Sequence, residues 1–197
     1  MGYRIVELKC PGCDAALTTE SKSCPYCGRP IVISAMSGIA SLAPAELNKH
    51  VAVYKKALGE EPGNGELLRS AAFCCLKLGM RDKALSYFEK AIEEEPDDPE
   101  LLFYASVALL GGKKAFLAKH DVIDRIDTYM NAALMLEERG IWCYFWAYVK
   151  YDFYERKFLR SEPDHRELLR RAAEAGCSEY DIRGLFELLG VDRPAGF

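Results

Sequence analysis

Residues 84–96 read ALSYFEKAIEEEP, and this stretch decides the fold because its pattern occurs twice in the chain. Its second aromatic residue, second alanine and terminal proline recur 34 residues earlier as Tyr54, Ala57 and Pro62. His50 stands there in the place of the first alanine. Small alanines allow close helix approach, the aromatic residue fills the gap between repeats, and proline ends the helix. The chain is therefore expected to contain a tandem helical repeat.

A 34-residue unit that ends in A-x₃-F-x₂-A-x₄-P resembles the tetratricopeptide repeat. Residues 65–98 carry the pattern best, although Leu68, Ala72 and Cys75 stand where the family has tryptophan, glycine and tyrosine. The resemblance covers about 45–158. It implies a mainly α fold, a right-handed superhelix of antiparallel helix pairs.

Helical periodicity extends along the rest of the chain. Helices are expected over 45–60, 67–78, 81–95, 100–110, 141–158, 164–175 and 178–189, with a further helix around Ile126–Ala133. That further helix lies eight residues later than the strict repeat period requires. We expect Gly111-Gly112-Lys113-Lys114 and their neighbours to lengthen the joint or the helix there.

Four cysteines near the N-terminus form two C-x₂-C pairs separated by ten residues, Cys10, Cys13, Cys24 and Cys27. This is the ligand spacing of a tetrahedral metal site, and four thiolates favour Zn²⁺, with iron as the lesser option. The alternatives are a pair of disulfides or redox dithiols. No signal-peptide pattern or membrane span is recognisable, so we expect a cytoplasmic protein, in which paired cysteines more often bind metal.

The cysteine knuckles and three short apolar segments, 3–9, 16–19 and 31–33, resemble a zinc ribbon. The resemblance implies one structural Zn²⁺ and strands at those three segments, with a turn over 20–23. It sets the domains as 1–34 for the ribbon, 35–44 for a linker and 45–197 for the helical repeats. An alternative is that the apolar residues of 35–44 dock on the helices. A rubredoxin-like electron carrier is disfavoured because its spacer is longer.

The charge and the remaining motifs restrict the function. A net charge of −4 disfavours a general nucleic-acid binder, and no membrane partner is expected. His50, His120 and His165 show no catalytic or metal-binding spacing, so the chain is expected not to be an enzyme.

Residues 141–158 contain nine aromatic residues, including both tryptophans of the chain. Such a helix is either buried between neighbours or lines a groove that holds a partner peptide or helix. From the repeat register we predict a set of residues that contact a partner. They are Arg69, Phe73, Lys77, Phe103, Trp142, Phe145, Trp146 and Val149.

The sequence thus predicts a protein-interaction adaptor with a structural zinc site. The alternative is a transcription-related ribbon that binds nucleic acid through Tyr26 and Arg29. Neither the partner nor the oligomeric state follows from the sequence.

Overall fold

A computed structural model describes residues 7–18, 23–29, 31–195 and 197 of the chain. The chain divides into two compact units, Met1–Pro96 and Asp97–Phe197. The beginning of the predicted first strand, at 3–6, and most of the predicted turn, at 20–22, lie outside the described residues.

In the first unit, strand β1 (Glu7–Lys9) pairs antiparallel with β2 (Ala16–Thr18). The predicted third strand at 31–33 is wrong, because this segment is not part of a sheet. Its backbone groups bind helical side chains instead: the Ile31 carbonyl accepts from Tyr54 and the Ile33 N–H donates to Ser70. The segment after the second knuckle is thereby held against the helices.

Three helices complete the first unit, α1 (Pro44–Glu60), α2 (Gly65–Lys77) and α3 (Arg81–Glu94). Pro44 begins α1, and the Asn64 side chain caps α2 by accepting from the Leu67 N–H at 3.1 Å. The α2 helix packs against both of its neighbours. Residues 36–39 form a short 3₁₀ turn in contact with α2, and Ile39 is fully buried.

The second unit is entirely helical in its described residues. Its helices are α4 (Pro99–Leu109), α5 (His120–Leu136), α6 (Gly140–Val149), α7 (His165–Glu174) and α8 (Glu179–Leu189). The α6 helix continues as a π-helical turn, Lys150–Tyr154, and a 3₁₀ turn, Glu155–Lys157. The helix predicted over 141–158 is confirmed in extent, and the Ser178–Asp181 capping box at the start of α8 is confirmed as well.

The insertion predicted near Gly111–Lys114 lengthens a joint. Residues 110–119 connect α4 to α5, with left-handed backbone at Gly111 and Gly112 (φ 60° and 76°) and a 3₁₀ turn over Ala115–Leu117. The Ala115 N–H donates to the Tyr148 hydroxyl at 3.2 Å. The longer joint is therefore ordered by the helix that follows α5.

The mainly α fold with a small N-terminal β element is confirmed. Across the part of the chain that the structure describes, no helix combines the length and apolar character that membrane crossing requires.

Candidate functional site

The two cysteine knuckles have the same backbone geometry. The Cys10 carbonyl accepts from the Asp14 N–H at 2.9 Å, and the Cys24 carbonyl accepts from the Gly28 N–H at 2.8 Å. Each knuckle turns on a residue with left-handed backbone, Asp14 at φ 58° and Gly28 at φ 72°. Glycine adopts this conformation without strain, and Asp tolerates it better than most residues. Both turns direct their two sulfurs toward the opposite knuckle.

The four sulfurs converge on one point. The Sγ atoms of Cys10 and Cys27 are 3.4 Å apart, those of Cys13 and Cys24 are 3.7 Å apart, and all four lie within 4.8 Å of one another. A tetrahedral site with Zn–S bonds of about 2.3 Å separates its sulfurs by about 3.8 Å. The cluster is thus positioned to bind one metal ion, which confirms this part of the sequence analysis.

The thiols of Cys13 and Cys24 differ in their pKa values. Burial raises the pKa of Cys24, but N–H groups of Tyr26 and Cys27 and the neighbouring thiols lower it to about 7. At Cys13 an Ala15 hydrogen bond lowers the pKa, yet burial and the three other cysteines raise it to about 12. Four thiolates this close repel one another, so full ionisation requires a bound cation.

Arg29 closes the site over the first knuckle. A Cβ atom at Gly12 would lie 2.3 Å from Cδ of Arg29 and 3.2 Å from Sγ of Cys27. The Gly12 N–H also donates to Cys10 Sγ at 3.3 Å. The Arg29 guanidinium also forms an ion pair with the Glu46 carboxylate of α1, at a distance of 2.5 Å. A Cβ at position 12 would therefore displace the Arg29 side chain, which connects the knuckles to α1.

Residues after the second knuckle are packed into the helices. Ile31 and Ile33 are almost fully buried, and the Tyr54 hydroxyl donates to the Ile31 carbonyl at 2.7 Å. Because this hydroxyl has a single proton, the 3.0 Å contact between Tyr54 and His50 requires Nδ1 of His50 to donate. The segment that follows the cysteine cluster and α1 therefore belong to one packed unit.

The predicted partner-binding residues of the first unit differ in exposure. Phe73 is fully buried and contacts Phe88 at 5.6 Å between ring centroids. Arg69 is partly buried and pairs with Glu95 at 2.9 Å. Lys77 is exposed at the end of α2.

The predicted partner-binding residues of the second unit are buried. Phe103 stacks on Trp142 at 5.5 Å and meets Phe145 edge-on at 5.6 Å, and Val149 is fully buried. Phe103 lies on α4 and the other residues lie on α6, which contacts α5, α7 and α8 and so has neighbours on several sides. The structure thus brings Phe103, Trp142 and Phe145 together as packing residues, and their use by a partner stays a prediction.

A polar network around Trp146 was missed by the sequence analysis. Asp127 accepts from the Trp146 indole at 2.6 Å, from the Lys150 ammonium at 2.8 Å and from the Tyr154 hydroxyl at 2.8 Å. The Lys150 ammonium also lies 4.7 Å from the centroid of the Tyr154 ring. The three donors are spaced by four residues, which places them on one helical face, and this spacing could have indicated a shared acceptor.

The cysteines outside the cluster are protonated at neutral pH. Burial raises the pKa of Cys74 to about 12, and it raises those of Cys143 and Cys177 to about 11. Protonated thiols are poor nucleophiles and poor metal ligands.

Comparison with known families covers the middle of the chain. Residues 51–110 match the family model of the tetratricopeptide repeat. The match runs from within α1 to the residue that follows α4, and it confirms the repeat seen in the sequence. Repeats of this family generally mediate protein–protein interactions and are typically non-catalytic. No curated protein matches the chain significantly.

Proposed function

We propose that this chain is a non-enzymatic protein-interaction adaptor in which a structural zinc ion holds the N-terminal ribbon on the helical repeats. The observation that carries the proposal is the tetratricopeptide match over 51–110, which covers the second half of α1 and all of α2, α3 and α4. Stacked helix pairs offer an extended surface that serves recognition in many proteins.

The chemistry of the donor set supports a structural role for the metal. Cys10, Cys13, Cys24 and Cys27 would occupy all four positions of a tetrahedral ion, which leaves none for water or substrate. Zinc bound this way supplies folding free energy to a segment too short to form its own core. A soft four-sulfur set favours zinc among the common divalent ions.

The adaptor function is tested by affinity capture with the full-length, zinc-loaded chain, followed by reconstitution with the purified partner. We expect saturable binding of one partner per chain in titration calorimetry. Lys77→Glu tests the predicted groove, because Lys77 is exposed and its substitution leaves the core intact. Lys55→Glu on α1 is the matched control. Failure of every captured protein to bind when purified would refute the proposal.

A second candidate is nucleic-acid binding by the ribbon. The Tyr26 ring is 77% exposed at the tip of the second knuckle, where a base could stack on it. Arg29, the expected phosphate contact, is engaged by Glu46. Fluorescence anisotropy with single-stranded DNA and RNA at low salt tests it: binding that Tyr26→Ala abolishes would support it, and no binding would remove it.

A further inference from the structure

Two basic segments of the second unit meet at one surface. The segment 113–121 covers most of the joint between α4 and α5 and the start of α5, and the segment 152–160 covers the end of the aromatic helix and the residues after it. The Phe116 N–H donates to Asp152 at 2.8 Å. The guanidinium carbon of Arg156 lies 4.7 Å from the Phe116 ring centroid, and the Lys157 ammonium lies 5.1 Å from it. The contacts of Phe116 with Asp152, Arg156 and Lys157 therefore join the two segments into one patch.

This patch carries a net positive charge, whereas the chain as a whole carries a net negative charge. The two segments contain six Lys and Arg and three Asp and Glu, a net charge of +3, so the rest of the chain carries −7. Four of the basic residues are exposed, namely Lys113, Lys114, Lys119 and Arg160. Arg156 is exposed as well but pairs with Asp152. A local concentration of positive charge on an acidic protein attracts anionic groups.

Large apolar side chains protrude from the same patch. Phe158 is 98% exposed, Leu117 is 67% exposed and Leu159 is 41% exposed. Phe158 also has left-handed backbone, with φ at 59°. A bulky residue in this conformation is strained by about 1–3 kcal/mol, and an exposed phenyl gains no burial in return. The stability of the fold therefore does not explain why position 158 carries phenylalanine. An interface explains it, because a partner would bury the exposed ring.

We propose that this surface, the basic apolar end, binds an acidic segment of a protein partner that carries a large apolar side chain. The lysines at 113, 114 and 119 would pair with the partner's carboxylates. Phe158 and Leu117 would bury their exposed faces against the partner's apolar group. The inference rests on the proposed adaptor function and assigns it a site and a class of partner.

The surroundings favour a short peptide segment over an extended polyanion. Leu159 and Arg160, which follow Phe158 in the chain, line an open pocket of about 480 Å³ together with four carboxylates, Glu155, Glu162, Asp164 and Glu167. A membrane surface or a nucleic-acid backbone would bring its negative charges against these carboxylates. A peptide can place its acidic residues on the lysines and its apolar side chain in or beside the pocket.

The test uses the full-length chain and fluorescent peptides that share one phenylalanine and two leucines and differ in net charge. We expect affinity to rise with negative charge and to fall with added salt. Phe158→Gly should weaken binding about tenfold, and it should not unfold the chain because glycine relieves the backbone strain at this position. The triple variant Lys113→Glu, Lys114→Glu, Lys119→Glu should weaken binding at least as much.

Matched controls come from exposed residues elsewhere. Tyr180→Ala removes an aromatic ring that is 79% exposed on α8, and Lys55→Glu with Lys56→Glu reverses exposed charges on α1. Both should bind like the wild type. Equal binding of acidic and basic peptides, or unchanged binding by Phe158→Gly and the triple variant, would overturn the proposal.

Other occupants are distinguished by parallel titrations. Tighter binding to vesicles that contain phosphatidylserine, to single-stranded DNA or to a second copy of this chain would also overturn it. Failure of this site is separable from failure of the adaptor function. If a purified partner binds wild type and the triple variant equally, the adaptor function stands and the site lies elsewhere.

Discussion

The Tyr54 hydroxyl donates a hydrogen bond to the carbonyl oxygen of Ile31 across 2.7 Å, in the buried interior of the first unit. Ile31 follows the last cysteine of the metal cluster by four residues, and Tyr54 lies in the middle of α1. The Ser70 hydroxyl oxygen of α2 accepts a hydrogen bond from the Ile33 N–H at 2.8 Å. Ribbon and helices therefore share polar contacts as well as a core, so the state of one should affect the other.

Metal removal should consequently loosen α1 and α2 as well as the ribbon. Without the ion, the knuckles no longer fix the position of Ile31 and Ile33, and their buried contacts are lost. Hydrogen exchange before and after chelation should show reduced protection in both helices and unchanged protection in α7. Unchanged protection in α1 and α2 would mean that the ribbon is an independent domain.

Gly12→Ala should weaken zinc affinity about tenfold, because the added methyl group collides with Arg29 and approaches the Cys27 sulfur. Competition with a chromophoric chelator measures this affinity. Gly59→Ala is the matched control: no atom lies within 4 Å of its added Cβ, and Ala is the better helix former by about 0.5–1 kcal/mol. That variant should be slightly more stable with unaltered zinc affinity. Wild-type affinity in Gly12→Ala would contradict the close approach of Arg29.

Asp127→Ala should destabilise the second unit by about 3–5 kcal/mol, since it leaves the buried Lys150 ammonium without its carboxylate partner. Lys150→Met should cost less, because Asp127 keeps its hydrogen bonds from Trp146 and Tyr154. Urea unfolding monitored by tryptophan fluorescence measures both values, because both tryptophans lie in this unit. A larger loss of stability in Lys150→Met than in Asp127→Ala would show that the network is not centred on Asp127.

His50 should make stability depend on pH. Burial, assisted by the charge of Arg29, lowers its pKa from 6.5 to about 4 in the folded chain. Between these values the unfolded chain binds more protons, so stability should fall by roughly 2–3 kcal/mol as the pH drops from about 6.5 to about 4. Above pH 6.5 His50 should not contribute to the pH dependence of stability.

The measurement compares wild type with His50→Gln in urea titrations at several pH values and saturating zinc. Protonation of the cysteine thiolates affects the stability of both proteins equally. The difference between their curves of stability against pH therefore reports on position 50. The variant should show the shallower slope. Parallel curves would mean that His50 is protonated at its ordinary pKa.

Periodic features could be read from the sequence, and features set by tertiary packing could not. The helix boundaries followed from Pro44, Gly79 and Pro96, because proline and glycine act locally on the backbone. The cluster of four cysteines that is positioned to bind a metal ion followed from their spacing. The segment 31–33 looked like a strand because three β-branched residues favour one, yet helical side chains took its backbone hydrogen bonds.

The aromatic helix illustrates the same limit. Its composition allowed either a groove or a core, and only the packing of α5, α7 and α8 around it places Trp142 and Phe145 in the interior. The basic apolar end joins segments about 40 residues apart, and no local pattern indicates that they meet.

The central claim is the metal centre at the four cysteines. Mass spectrometry of the purified wild type tests this claim by measuring the zinc content per chain. We predict one zinc per chain, retained by Cys177→Ser, a cysteine outside the cluster, and lost by Cys13→Ser. A metal-free wild type, or a Cys13→Ser variant that keeps its full zinc, would contradict the account.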